Sequence, residues 1–122
     1  VLLMYAEAQN EAFGPDASVY NAIQQIRDRV GMPALKPNLT KEELRKEIRH
    51  ERRIELAGEG FYYYDVRRWG IAQTVLNGDI YNDKGERIDT RRFDPQRDNL
   101  WPIPAVAIQE NTVLKQNPGY RN

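Results

Sequence analysis

Three observations predict an all-α fold, mostly helical, with a C-terminal third that is largely irregular and holds extended segments. Apolar residues recur at helical spacing through the first two-thirds of the chain. Glycine, proline and one Asn-Gly pair cut that pattern into helix-sized pieces. Beyond residue 78 the periodicity stops.

The first helix is expected at about 1–13, where Met4, Ala8 and Ala12 fall at i, i+4, i+8 with Leu3 and Tyr5 beside them. Gly14-Pro15 ends it. Asp16 or Ser18 caps a second helix, about 18–30, with the stripe Val19, Ile23, Ile26 and Val30; Gly31 and Pro33 stop it. Thr40 and Glu43 form a capping box that opens a third helix, about 41–57, stopping near Gly58 and Gly60. A fourth helix is expected over 63–76, ended by Asn77-Gly78. The stretch 79–122 is polar and turn-rich. Within it LWPIP must be extended, because proline disfavours the helical region for the residue before it. Ala105 to Glu110 has room for one or two helical turns.

The 122 residues are one domain's worth. VLLMYAEAQNEAF is helical in character from its first residue, with no capping side chain ahead of it. The chain therefore reads as a single region, 1–122, cut from a longer protein, with any targeting signal outside it. Eighteen Lys and Arg balance eighteen Asp and Glu, which argues against a general nucleic-acid binder. There is no cysteine, hence no disulfide frame and no thiolate zinc site. No apolar run of about 18 residues spans a membrane.

The stretch RHERRIELAGEGFYYYDVRRWG, residues 49–70, concentrates the charge. Glu47, Glu51, Glu55 and Glu59 are each four apart and form one row on a helix, on the side of Leu44 and Ile48. Arg45, Arg49 and Arg53 form a second row, and Arg52 lies between them. Carboxylates on a face that should be buried need cations, and Arg52, Arg67 and Arg68 are the suppliers expected. From Lys41 to Trp69 eight cations meet seven acids, close to neutral. The preferred reading is a structural ion-pair lattice of Arg49, Glu51, Arg52, Glu55, Glu59, Asp65, Arg67 and Arg68.

Three other readings compete with it. Glu47 and His50 make one Glu-x-x-His pair, but a di-iron bundle needs two and His50 is the sole histidine. Two glutamates of the row would serve as the acid and base of a glycosidase. Arginines interleaved with Phe61, Tyr62, Tyr63, Tyr64 and Trp69 would suit a nucleic-acid surface, against the neutral charge balance. No catalytic residue, metal or cofactor is assigned. Trp69 and Tyr63 read as packing around the arginines. Trp101 reads as a core anchor, with a flat face for a sugar ring as the alternative.

The order of these motifs resembles the SusD/RagB family. VLLMYAEAQNEA is similar to the helix that opens the family's C-terminal region. The family's A-I-x-x-I-R-x-R-x-G-M-P is matched at Ala22–Pro33, L-T-K-E-E-L-R at Leu39–Arg45 and R-H-E-R-R-x-E-L at Arg49–Leu56. E-G-x-R-x-x-D-x-R-R-W is matched at Glu59–Trp69, L-W-P-I-P at Leu100–Pro104 and Q-N-P-G-Y at Gln116–Tyr120. Tyr62 stands where the family usually has arginine, Gly58 where a bulky apolar residue is common, and Thr112 where proline is common.

The resemblance implies a helical fold with tetratricopeptide-like helix pairs in the full family. It implies a cell-surface lipoprotein of the outer membrane that binds a glycan or other nutrient without catalysis. Such proteins hand their ligand to a SusC-like TonB-dependent transporter. Ligand contacts vary between members, so no binding residue is carried over. The RHERR–RRW stretch is then scaffold. The alternatives are a helical protein-interaction module with no small ligand and, third, a carboxylate-based glycoside hydrolase.

Overall fold

The computed structural model describes residues 1–121. The chain falls into two compact units, Val1–Tyr62 and Tyr63 onward.

The first unit is built on three helices: α1 (Leu2–Phe13), α2 (Ala17–Arg29) and α3 (Lys41–Glu55). Its core gathers Leu3 and Ala6 of α1, Val19, Ala22, Ile23 and Ile26 of α2, and Leu44 and Ile48 of α3. The buried face of α1 is therefore Leu3, Ala6 and Asn10, at i, i+3, i+7, while Met4 is 65% exposed and Ala8 and Ala12 face solvent. The polar Asn10 hides that face from a hydrophobicity pattern. Its amide donates to the carbonyl of Lys41 at 3.1 Å, which ties α1 to the start of α3.

Helix ends follow local chemistry. The Asp16 side chain accepts from the N–H of Ser18 and of Val19 and caps α2. Thr40 and Glu43 complete the capping box of α3. At Gly31, with φ +68°, the Met32 N–H reaches back to the carbonyl of Arg27 and the Gly31 N–H to that of Asp28. That pair of bonds is a Schellman stop, which only a left-handed residue allows. Val30 consequently leaves the apolar stripe and is exposed.

Beyond α3 the elements are α4 (Phe61–Arg68), α5 (Ala72–Val75), the strands β1 (Gly78–Tyr81) and β2 (Arg87–Arg91), and α6 (Ala105–Glu110). The single helix expected over 63–76 is thus two. Gly70, at φ +69°, takes a second Schellman stop, with Ile71 N–H on the carbonyl of Val66 and Gly70 N–H on that of Arg67. The region expected to be irregular contains an antiparallel hairpin, β1 against β2, with a register shift between Ile80 and Tyr81. Both strands are largely exposed, so they lack the in–out alternation that marks a half-buried strand. The buried apolar residues of this second unit are Val66, Ala72 and Phe93. Among the described residues, no helix is long and apolar enough to cross a membrane.

Candidate functional site: ion pairs of the third helix and an aromatic–arginine surface

Two carboxylates of the α3 row, Glu51 and Glu55, are met by cations from α2. Arg27 Nη1 lies 2.8 Å from Glu51 Oε2, and Arg29 Nη2 lies 2.5 Å from Glu55 Oε1. Both cations come from the last turn of α2, where lysine and arginine also complement the helix dipole. The expectation that Arg67 and Arg68 supply these carboxylates is corrected. Charge spacing on one helix says that partners are needed, but not which neighbouring element carries them. Glu59 is exposed and makes no ion pair among the described residues.

On the opposite flank Arg45 forms a two-pronged pair with Glu11 of α1 and also bonds Glu42. The guanidinium beside it holds the Glu11 carboxyl below the usual range. Arg49 and Arg52 are half-buried and engaged. Arg52 lies over the ring of Phe61 at 5.8 Å and Arg53 over Tyr62 at 4.7 Å. Tyr62 thus receives a cation from α3.

In the second unit, Asp65 is almost fully buried and Arg68 Nε donates to its Oδ1 at 2.9 Å. Arg68 also lies over Trp69 at 5.1 Å. Arg67 stands between two rings, 5.2 Å from the centroid of Tyr63 and 5.7 Å from that of Trp101, and donates to the carbonyl of Asn99. Glu51 and Glu55 pair with α2, Asp65 pairs with Arg68, and Arg67 stacks on aromatics.

Trp101 is 60% exposed and does not serve as a core anchor. Its backbone is held by the tail. Gln116 accepts from the N–H of Ile103 at 2.7 Å and donates to the same residue's carbonyl at 2.9 Å. The amide of Asn117 donates to the Trp101 carbonyl at 2.6 Å, and the Tyr120 hydroxyl to that of Leu100 at 3.1 Å. The QNPGY and LWPIP motifs thus hold one another. The reason is physical: an extended segment with two prolines has few donors of its own, so tail side chains satisfy its carbonyls.

Two clefts meet at Trp101. One, of about 640 Å³, is bordered by Tyr64, Arg67, Gln73, Phe93, Asn99 and Trp101. The other, of about 430 Å³, is bordered by Tyr63, Arg91, Arg92, Arg97, Trp101 and Tyr120. Phe93 also lines both and is fixed by Asn77, whose side-chain oxygen accepts from its N–H at 2.7 Å and whose amide donates to its carbonyl at 3.2 Å. Aromatic faces beside arginine and amide side chains can stack a flat ring and bond its polar rim. Sequence reasoning missed Arg91, Arg92, Phe93, Arg97 and Tyr120, which lie in the stretch without periodicity. The density of arginine between Arg87 and Arg97 is the signal that was available.

Comparison with known proteins gives this mostly helical chain its place. The family model for the SusD family matches residues 1–120, and the chain belongs to that family. It is 32% identical to SusD-like protein P2 of Formosa agariphila, over 98% of this chain and 24% of that protein. SusD-like protein P25 of the same organism is 34% identical, over 99% of this chain and 23% of the relative. The chain thus spans about a quarter of the length of the curated relatives it matches.

Solved structures agree. A SusD-like protein from Bacteroides fragilis superposes with a TM-score of 0.79 at 38% identity, over 98% of this chain and 24% of that one. A SusD-like carbohydrate binding protein from the same species gives 0.81 at 32% identity, over 93% and 27%.

Proposed function

We propose that this chain belongs to a non-catalytic glycan-capture protein at the cell surface. It binds an oligosaccharide and passes it to a SusC-like TonB-dependent transporter in the outer membrane. The observation that carries the reading is family membership together with a structural neighbour described as a carbohydrate binding protein. The exposed indole of Trp101 between two clefts supports it, since sugar rings stack on such faces. The partner transporter and the lipoprotein anchoring rest on the resemblance.

The α3 carboxylates support a scaffold role over chemistry. Glu51 and Glu55 are each engaged by an arginine of α2, so both carboxylates pin one helix to the next.

A second reading, a helical interaction module without a small ligand, draws on α1. Met4 and Phe13 are exposed there, and a cleft of about 550 Å³ is bordered by Leu2, Met4, Ile26, Leu56 and Phe61. The two readings separate on one experiment with the full-length protein. Saturable oligosaccharide binding with no new reducing ends is the result expected for capture. Failure to bind any saccharide would favour the interaction module. Release of reducing ends that disappears with Glu55→Gln would establish a hydrolase instead.

A further inference from the structure

Charge is distributed unevenly around Trp101. The two clefts are bordered by Arg67, Arg68, Arg91, Arg92 and Arg97, with Asp98 as the one carboxylate among the lining residues. The chain as a whole is neutral, so this is a local excess. Three of the five cations are engaged. Arg67 is committed to two rings and a carbonyl, and Arg68 to Asp65. Arg97 makes a two-pronged pair with Asp98, at 2.6 and 3.1 Å, which holds the Asp98 carboxyl below its usual range.

Arg91 and Arg92 are different. Both are exposed, and neither makes an ion pair among the described residues. They directly precede Phe93, whose backbone is clamped by Asn77. Two guanidinium groups on an anchored backbone therefore border the same cleft as Trp101 and Tyr63. A guanidinium presents paired donors that match a carboxylate or a sulfate. A neutral sugar makes no use of that charge.

Resting on the glycan-capture reading, we infer that the ligand of the Trp101 surface is an anionic saccharide. A uronate or sulfate group engages Arg91 and Arg92, and a sugar ring stacks on Trp101. The near-neutral charge of the whole chain disfavours a nucleic acid as the anion.

The test is calorimetric titration of the full-length protein with four probes: trigalacturonate, a sulfated carrageenan oligosaccharide, neutral maltotriose and inorganic sulfate. The parent is compared with Arg91→Gln and Arg92→Gln, which change exposed side chains and should melt like it. The expected result is saturable binding of at least one acidic saccharide, weakened by added salt. Each variant should weaken it about tenfold or more, as for one charge-assisted hydrogen bond. Maltotriose and sulfate should bind far more weakly.

If maltotriose binds as tightly and both variants match the parent, the anionic assignment is overturned while glycan capture stands. Sulfate binding as tightly as the acidic saccharides would mean a simple anion site and would also overturn it. Tighter binding of a single-stranded oligonucleotide would do the same. If no saccharide binds, both readings fail together.

Discussion

Arg27 Nη1 and Glu51 Oε2 lie 2.8 Å apart, joining α2 to α3, with only 11% and 13% of the two side chains exposed. Arg27 also donates through Nε to the carbonyl of Pro33 at 2.7 Å, so one guanidinium fixes a carboxylate and the loop that follows α2. The neighbouring pair Arg29–Glu55 looks alike in sequence but leaves Arg29 60% exposed.

These two pairs should respond differently to mutation. Breaking a buried pair costs about 3–5 kcal/mol, whereas an exposed pair contributes about 1 kcal/mol or less. Glu51→Gln should therefore lower the thermal midpoint by roughly ten degrees or more, and Glu55→Gln by a few degrees at most. Circular dichroism melts of both variants check this. Equal shifts would show that the α2–α3 pairs share one environment.

Arg67 and Arg68 should also separate. Arg68→Ala removes a donor from buried Asp65, a loss of about 1.5–3 kcal/mol for a hydrogen bond to a charged group. Arg67→Ala removes two ring contacts of about 0.5–1 kcal/mol each at an exposed site, and a donor to the exposed Asn99 carbonyl that water replaces. A denaturant series should show the larger loss for Arg68→Ala. The reverse order would place a buried carboxylate against Arg67.

Acid should act through Asp16. The Ser18 hydroxyl first, then the Gln9 amide and the Val19 N–H, hold its carboxyl at about 2, below the ordinary 3.8. A folded value below the unfolded one stabilises the protein above the unfolded value. That contribution is lost as pH falls through the folded one. The midpoint difference between parent and Asp16→Asn should be full above pH of about 4 and shrink between about 3.8 and about 2. A difference that stays constant over that window would show that the α2 cap does not depend on the charge.

Much of the first unit was legible in the sequence. Thr40 and Glu43 announced the start of α3, and Val19, Ile23 and Ile26 announced the buried stripe of α2. What failed had physical reasons. Asn10 sits at a core position, so the buried face of α1 was obscured. Gly70 was visible, yet the apolar residues on either side masked its role as a stop. The hairpin rests on short exposed strands, which carry no alternation. Helical spacing placed the carboxylates in a row. Their partners Arg27 and Arg29, on the flank of the α2 stripe, emerge only once α2 and α3 pack. Trp101, between Leu100 and Pro102, looked like a core anchor, because nothing local distinguishes an anchored backbone from a buried ring.

The central claim is that the full-length protein captures a saccharide on the Trp101 surface and does not cleave it. The most direct measurement is calorimetric titration of parent and Trp101→Ala with a panel of acidic and neutral oligosaccharides, with reducing ends assayed in the same samples. The account predicts saturable binding by the parent and no new reducing ends. It predicts loss of binding in the variant with the melting midpoint lowered by a few degrees at most, because the ring is exposed and gives up only its contacts with Tyr63 and Arg67. Undiminished binding by Trp101→Ala, or sugar release by the parent, would contradict it.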